Sequence, residues 1–430
     1  MTDLKIFVDN PDERLLEQIN EIVSSSAFND QKVRIMPDSH VGSGICIGFT
    51  STLGEYVNPE HIGTDIGCSV TALELDGVIP EDKYSEFDRK VRKEIPIGKG
   101  EINTEIKYPE KELFRFLTSE YLKVQSAFPD LINHIDRIDS NFITNFCKRI
   151  GISEKDFYKS LGSIGSGNHY IEYGESEDGH GYISFHTGSR SLGSRVCERW
   201  SSIGKKETQK DKLSELIKEI KANEPDRKKW KEKIESATEW VKENIPLSYL
   251  TGERARGYFS DMVLAQAYSS FNHLEIGRRL EALVNRYGLK VINRIKSVHN
   301  YIDFSDGIIR KGSIRAHKGE LCIIPFNMRD GFGIFTGLGN SDWNYSAPHG
   351  SGRKLSRMKA FEKLELPEFK QSMEGIYSTS VLETVLDESP MAYKDTDQIL
   401  EAINGITVEL IKRVYPKINI KDYGIRNRRG

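Results

Sequence analysis

Two kinds of hydrophobic pattern occur in the first half of the chain. Short apolar runs separated by glycine lie at Ile45–Phe49, Ile62–Val70 and Tyr182–Phe185, and they predict strands and buried turns. Apolar residues at helical spacing in Pro109–Ser126 and Leu131–Arg149 predict two helices. The first half therefore combines both types of secondary structure.

The same two patterns continue in the second half. We expect a tightly apolar helix at about 260–287, a strand at Leu289–Val298, a glycine-rich loop over 337–352 and a last helix at about 396–414. The apolar segments do not separate into two self-contained sets. The pattern therefore predicts an α+β fold, with residues 1–430 forming a single domain.

One segment differs from the rest in its charge. Lys205–Asn244 is rich in lysine and glutamate and contains no glycine, which predicts one or two long exposed helices. We interpret it as a charged helical insertion in the domain at about 204–246. A solvated hairpin and an arm that contacts nucleic acid are both compatible with this composition.

The composition narrows the class of protein. Lysine and arginine number 61 against 64 acidic residues, so the chain lacks the strong basic excess of many nucleic-acid-binding proteins, although a local basic groove stays possible. No apolar run is long enough to span a membrane, and no signal peptide is expected. The five scattered cysteines form no CxxC pair, which favours a reducing compartment and a cytoplasmic protein.

Four histidines have flanks that are typical of a functional site. His169, His186, His299 and His349 lie in loops flanked by glycine or asparagine at predicted strand ends, where a rigid scaffold places functional groups. A lone histidine of this kind is usually structural, but four with similar flanks favour a shared site. Gly63–Cys68 adds a carboxylate and a thiol three residues apart, and the combined donor types suit Mn, Fe or Zn.

Two glycine-rich loops suggest phosphate binding. Gly165–Asn168 and Gly350–Arg353 could present backbone N–H groups to a phosphate, and Arg190 and Arg353 each follow a loop histidine by four residues. The chain has no GxxxxGK[ST] motif and no dinucleotide-binding fingerprint after a strand. Metal ligands, phosphate loops and arginines together predict phosphoryl or nucleotidyl transfer.

These motifs resemble those of the RtcB family of RNA ligases. The resemblance covers about residues 30–425, and the order and context of every motif agree. The matching stretches are Met36–Gly44, Gly63–Cys68, Gly165–Glu172, His186–Gly193, His299–Tyr301, Pro348–Arg353 and Pro390–Lys394.

The resemblance implies an RtcB-like single-domain α+β fold with a central cleft that holds two Mn(II) ions. It implies an RNA ligase that uses GTP and joins RNA 3′-phosphate or 2′,3′-cyclic phosphate ends to 5′-hydroxyl ends, in RNA repair or tRNA splicing. His349 matches the catalytic histidine, which carries GMP before an RNA-ppG intermediate forms. The positions that match metal ligands are Asp65, Cys68, His169, His186 and His299.

The resemblance also implies roles for residues around these ligands. Arg190 and Arg353 match arginines that hold RNA phosphates. The implied partners are RNA with broken ends, such as tRNA or rRNA, and the activating protein archease. The positions implied for nucleotide binding are Asn168, Glu172, Tyr393, Lys421, Gly350, Ser351 and Gly352.

Several positions depart from the usual family pattern. Ser43 stands where lysine is usual, Ser351 where alanine is usual, and His273 where arginine is usual, and the turn at Pro325–Asp330 replaces a segment that helps to bind the nucleotide. We interpret the chain as a divergent paralogue whose nucleotide preference is open. Two other hypotheses are a metal-dependent RNA phosphodiesterase on the same site and a catalytically silent RNA-binding protein.

Overall fold

The computed structural model describes residues 2–25, 28–244 and 247–424, and it confirms the predicted α+β class. The strands are β1 Asp3–Ile6, β2 Lys32–His40, β3 Ile47–Thr52, β4 Ser69–Leu75, β5 Tyr170–Ser176, β6 Gly181–Thr187, β7 Val291–Val298, β8 Asn300–Asp303, β9 Ile308–Lys311, β10 Ser313–Arg315, β11 Leu321–Pro325, β12 Phe332–Gly337, β13 Ser346–Pro348 and β14 Val408–Ile420.

The α-helices lie mainly in the middle of the described chain. They are α1 Glu13–Val23, α2 Tyr84–Glu94, α3 Glu110–Ala127, α4 Ser140–Ile150, α5 Glu154–Lys159, α6 Ser191–Asn223, α7 Trp230–Glu243, α8 Gly252–Val284, α9 Arg357–Lys363, α10 Leu366–Ser372 and α11 Thr396–Ile403.

A seven-stranded antiparallel sheet forms the centre of the fold. Its strand order is β11-β12-β14-β5-β6-β4-β7. The two edge strands, β11 and β7, lie close to each other. This is shown by a hydrogen bond in which the backbone N–H of Ile323 on β11 donates to the Ser297 hydroxyl on β7 at 2.9 Å. The sheet is therefore nearly closed, and the strand ends on one side converge.

A second sheet of five strands has the order β1-β2-β3-β9-β8, and a small ribbon pairs β10 with β13. The β1–β2 pair is parallel and the other pairs are antiparallel. The five-stranded sheet contributes Asp38 at the end of β2, and the ribbon ends just before His349. These two elements thus meet the large sheet at its convergent side.

Helix α8 is the central helix of the core and also organises the site. Most of its side chains from Tyr258 to Leu283 are buried. Asn272 lies in this buried part: its amide oxygen accepts from the N–H of Gly162 at 2.7 Å, and its amide nitrogen donates to the carbonyls of Ser163 and Gly188, each at 3.2 Å. One core side chain therefore holds two site loops together.

The charged segment forms two packed helices, as its pattern predicted. Its first helix begins earlier than expected, since α6 starts at Ser191 and runs to Asn223 before α7 begins at Trp230. Positions 245–246 of the predicted insertion lie outside the described residues. Within the described residues, no helix combines the length and apolar character that a membrane span requires.

Two of the predicted helices were wrong in extent. The segment predicted as a helix at 396–414 is helical only to Ile403, and β14 begins at Val408. The segment predicted at Leu131–Arg149 becomes helical only at Ser140, because the Asp139 side chain accepts from the N–H of Phe142 at 3.0 Å and caps the helix there. In both cases local helical spacing did not locate the boundary.

Candidate active site

The ends of four adjacent strands bring together a cluster of candidate metal ligands, of which Cys68, His186 and His299 line a cleft of about 960 Å³. Cys68 immediately precedes β4, His169 precedes β5, His186 lies near the end of β6, and His299 follows β7. In the antiparallel register, His186 lies opposite both Val70 and Tyr170. Residues more than two hundred positions apart are therefore brought to one edge of the sheet.

The donor atoms of this cluster almost touch. The Cys68 Sγ lies 3.1 Å from His186 Nε2 and 3.5 Å from His169 Nε2. His186 Nε2 also lies 3.1 Å from His299 Nε2. The Asp65 carboxylate completes the group, with its Oδ2 3.0 Å from His169 Nε2. Cys68, His169 and His186 form a buried group that could hold a metal ion.

Backbone carbonyls determine which ring nitrogens face the centre. His169 Nδ1 lies 3.0 Å from the Ile164 carbonyl, and His186 Nδ1 lies 3.2 Å from the Asn168 carbonyl. A carbonyl only accepts, so each Nδ1 carries the proton and each Nε2 keeps its lone pair. The Nε2 lone pairs point toward one another and toward the Cys68 thiol, and too few protons lie between them to prevent repulsion. A divalent cation at the centre would bind these lone pairs and remove the repulsion. The donor set therefore fits a metal.

The protonation states of the imidazoles and of Asp65 agree with this arrangement, whereas burial and the charge of Asp65 raise the pKa of the Cys68 thiol well above its usual range. Burial, followed by the charges of neighbouring histidines, holds the pKa values of His186 and His299 well below their usual range. Burial raises the pKa of Asp65, but its contact with His169, together with smaller contributions from Cys68 and Arg190, outweighs burial and keeps that pKa low. Neutral imidazoles and an ionised carboxylate are the forms that bind metal ions.

His349 is the fourth of the predicted loop histidines, and a carboxylate orients it. Its Nδ1 lies 2.8 Å from Asp38 Oδ2, and its ring centroid lies 4.9 Å from that of His299. Asp38 is fully buried. Gly352 makes this approach possible, because it has φ +71° and a Cβ there would lie 1.9 Å from the Asp38 carbonyl oxygen.

A buried carboxylate that the sequence did not reveal links three predicted residues. Glu388 accepts from Arg353 Nη1 at 3.2 Å, Lys421 Nζ at 3.0 Å and the Tyr393 hydroxyl at 2.7 Å. Burial raises the pKa of Glu388, but the charges of Lys421 and Arg353 outweigh it and lower that pKa to about 2. The only signal was its position two residues before the Pro390–Lys394 motif.

Glu172 has the opposite electrostatic environment. It is 3% exposed, and its Oε2 accepts from Asn419 Nδ2 at 2.9 Å across the β5–β14 pair. Burial raises the pKa of Glu172 to about 8, while the Asn419 hydrogen bond and the charge of Lys421 only partly oppose this. A carboxyl with a raised pKa in a cleft is typical of a binding or catalytic site.

The cleft wall contains most of the other predicted residues, but not all. Asn168, Gly350, Ser351 and Gly352 line it. Arg190 does not: its guanidinium donates to the Ser163 hydroxyl at 3.1 Å and to the Ile164 carbonyl at 3.0 Å, so it lies behind the loop that precedes His169.

Comparison with known proteins gives a consistent result. The family model described as "tRNA-splicing ligase RtcB" matches residues 18–422. The chain is 26% identical over 430 residues to RNA-splicing ligase RtcB of Escherichia coli K12, covering 92% of this chain and 91% of that protein. It is 25% identical to tRNA-splicing ligase RtcB of Aeropyrum pernix, with 89% and 86% covered, and 23% identical to RNA-splicing ligase RtcB homolog 1 of Entamoeba histolytica, with 90% and 80% covered.

The raised pKa of Glu172 predicts a pH-dependent cost in stability. The folded pKa of about 8 exceeds the ordinary value of 4.5, so the contribution of this group is favourable below pH 4.5 and is lost as the pH rises through 8. Glu172→Gln should therefore match the native protein near pH 5 and exceed its unfolding free energy at pH 8.5 by a few kcal/mol, at about 1.4 kcal/mol per pKa unit.

Chemical denaturation at pH 5, 6.5 and 8.5 measures this difference. The exposed Glu253→Gln serves as the control and should show no such pH-dependent gain. A Glu172→Gln difference that stays constant across the three pH values would contradict the prediction.

Proposed function

Since the chain belongs to the RtcB family of tRNA-splicing ligases and is an RNA ligase, we propose that it joins RNA 3′-phosphate or 2′,3′-cyclic phosphate ends to 5′-hydroxyl ends through a guanylylated His349. The observation that carries this proposal is the position of His349. An oriented imidazole lies beside a metal-binding cluster, in a cleft that also contains candidate nucleotide contacts.

The cofactors of the proposed reaction are GTP and two Mn(II) ions. When bound, the ions would supply positive charge that stabilises phosphate oxygens in the transition state. Cys68 lies close to two imidazoles and is suited to serve both ions, because a thiolate is compact and anionic. The residues that would hold the ions are Asp65, Cys68, His169, His186 and His299.

The contact with Asp38 determines how His349 would react. The carboxylate accepts a hydrogen bond from Nδ1–H, so the ring proton stays on Nδ1, and Nε2 keeps its lone pair and is the nucleophilic nitrogen. A bond forms between Nε2 and the α-phosphorus of GTP, the bond to the bridging oxygen breaks, and pyrophosphate leaves. Asp38 stabilises the positive charge that develops on the ring, as an orienting carboxylate does in other triads.

The later steps transfer the guanylate to RNA. A 2′,3′-cyclic phosphate end is first opened by water, which breaks the P–O2′ bond and leaves a 3′-phosphate and a 2′-hydroxyl. An oxygen of the RNA 3′-phosphate attacks the phosphorus on His349, the N–P bond breaks, and RNA-ppG forms. The 5′-hydroxyl of the second end then attacks the RNA phosphorus and GMP leaves. Arg353, which Glu388 holds in place, is suited to bind an RNA phosphate, and Arg190 is proposed for the same role from behind the loop.

The nucleotide would occupy the glycine-rich loop and the adjoining wall of the cleft. The buried Ser351 hydroxyl has no hydrogen-bond partner among the described residues, and a phosphate oxygen would provide one. Gly350 and Gly352 flank it, while Asn168, Glu172, Tyr393 and Lys421 line the same cleft. We propose broken tRNA or rRNA as the substrate, archease as a partner and the cytoplasm as the location, where the free cysteines stay reduced.

Covalent labelling tests the proposed nucleophile. Incubation with α-labelled GTP and Mn(II) should give a protein-bound, acid-labile label that His349→Ala abolishes, because no other described histidine outside the metal cluster both lines the cleft and is oriented by a carboxylate. His134→Ala, which changes an exposed histidine, should label normally. Absence of label in the native protein, with other nucleoside triphosphates and archease also tried, would favour a metal-dependent phosphodiesterase.

Asp38 should control the rate of this labelling. Asp38→Asn removes the negative charge and allows an amide N–H to face Nδ1, so the ring proton is no longer fixed there and the labelling rate should fall at least about 100-fold while bound Mn(II) stays unchanged. Rapid-quench labelling and metal analysis measure the two quantities. The exposed Asp136→Asn is the control, and an unchanged rate in Asp38→Asn would show that Asp38 does not orient His349.

Cys68 should be required for both metal binding and labelling. Cys68→Ala removes the thiol that lies between two imidazoles, so bound Mn(II) should drop from two ions to one or none, and labelling should be lost. Metal analysis after gel filtration gives the stoichiometry. Cys147→Ala changes another buried cysteine and should keep both ions. If Cys68→Ala retained two ions, Cys68 could not be a ligand that both ions share.

A further inference from the structure

Asn419 is a polar residue of the cleft wall that neither the sequence motifs nor the proposed reaction uses. It lies on β14 directly opposite Glu172 on β5, and both line the cleft. Asn419 is 1% exposed. Burying an amide is unfavourable unless its hydrogen-bonding groups are satisfied, so such a residue usually has a specific partner.

Only half of the Asn419 amide is satisfied in the described structure. Its Nδ2 donates to Glu172 Oε2 at 2.9 Å, so the amide nitrogen faces Glu172 and the amide oxygen points away from that hydrogen bond. Its Oδ1 is buried and has no hydrogen-bond partner among the described residues. Glu172 and Asn419 therefore present two acceptors side by side, a carboxyl oxygen and an amide oxygen. The amide oxygen of Asn419 receives no hydrogen bond from the described residues.

A donor follows these two acceptors just after β14 ends at Ile420. Lys421 is two residues after Asn419, which places it roughly 7 Å further along the strand, and its ammonium group is held by Glu388 at 3.0 Å. Apolar side chains form the adjoining wall, since Phe326 and Met328 are buried and line the cleft. The wall thus combines apolar surface with a row of one donor and two acceptors.

This row is complementary to one nucleobase edge. Guanine presents in order the O6 acceptor, the N1–H donor and the 2-amino donor, whereas adenine presents a donor and then an unprotonated N1. We propose that Asn419 is a specificity-determining residue of the nucleotide site, which accepts an N–H of guanine beside Glu172 and so selects GTP over ITP and ATP. This inference rests on the proposed function, since it places the nucleotide base at this wall.

The physical reason for selectivity is the cost of an unpaired acceptor. ITP lacks the 2-amino group, so one of the two buried oxygens would stay without a donor, and ATP would direct a lone pair at an acceptor. Loss of one buried hydrogen bond corresponds to roughly a tenfold or greater loss of affinity. The native protein should therefore prefer GTP to ITP by about tenfold or more.

The experiment compares nucleotide selectivity, not overall activity. Labelling of the full-length protein by α-labelled GTP is measured with unlabelled GTP, ITP or ATP as competitor, for the native protein, Asn419→Ala, Asn419→Leu and the exposed control Asn285→Ala. Both Asn419 variants should bring the GTP-to-ITP preference close to one, whereas the control should keep the native preference. Asn419→Leu keeps a side chain branched at the same carbon but without hydrogen-bonding groups, and so complements the truncation to alanine.

Each outcome decides between the inference and the proposed function. An unchanged GTP-to-ITP preference in folded Asn419 variants that still label would overturn the role of Asn419 and leave the guanylylated histidine in place. No labelling of the native protein would overturn the proposed function itself. If both Asn419 variants fail to fold, Asn419→Ser replaces them, because serine keeps a hydrogen-bond acceptor on a shorter side chain. This variant should show a GTP-to-ITP preference between one and the native value. A native preference in Asn419→Ser would count against the inference.

Discussion

Convergence of nitrogen lone pairs at one edge of the large sheet is the constraint on which the rest of the site depends. Three imidazoles and a thiol meet because β5, β6, β4 and β7 are adjacent and their ends are in register. Backbone carbonyls of the loop before β5 fix the ring protons of His169 and His186 away from the centre. The sheet register, the loops and the tautomers must therefore all agree for a cation to be bound.

Two carboxyl groups of the cleft wall are buried inside the fold. Glu388 is buried with two cations, and Glu172 is buried with only an amide and a more distant lysine. Removing one partner of a buried charge cluster commonly costs about 3–5 kcal/mol, because the others stay uncompensated. Such an arrangement is costly as scaffolding and is explained by a charged ligand that completes it.

The residues that differ from the family pattern concentrate beside this cleft and have clear local roles. His273 lies beneath β4 and β6, where its ring nitrogens each contact a hydroxyl at 2.8 Å, on Ser69 and Thr71. The turn at 325–330 is closed by Asn327, whose amide donates to Asp330 at 2.7 Å. This turn directs Phe326 and Met328 to the cleft, so the departures alter the wall proposed to bind the nucleotide, while the candidate metal ligands are all present.

The sequence by itself determined the chemistry of the site. Histidine, cysteine and aspartate in glycine-rich loops predicted a metal centre, and the structure brings Asp65, Cys68, His169, His186 and His299 together, with His349 beside them. Only the tertiary structure showed Asp38 behind His349, Glu388 between Arg353 and Lys421, and Asn419 beside Glu172. Only the tertiary structure also showed that the predicted helix at 396–414 ends at Ile403 and that a strand begins at Val408. The physical reason is that the sequence gives the type and local spacing of each side chain directly. Which side chain it contacts depends instead on strand register and burial, which involve residues hundreds of positions apart.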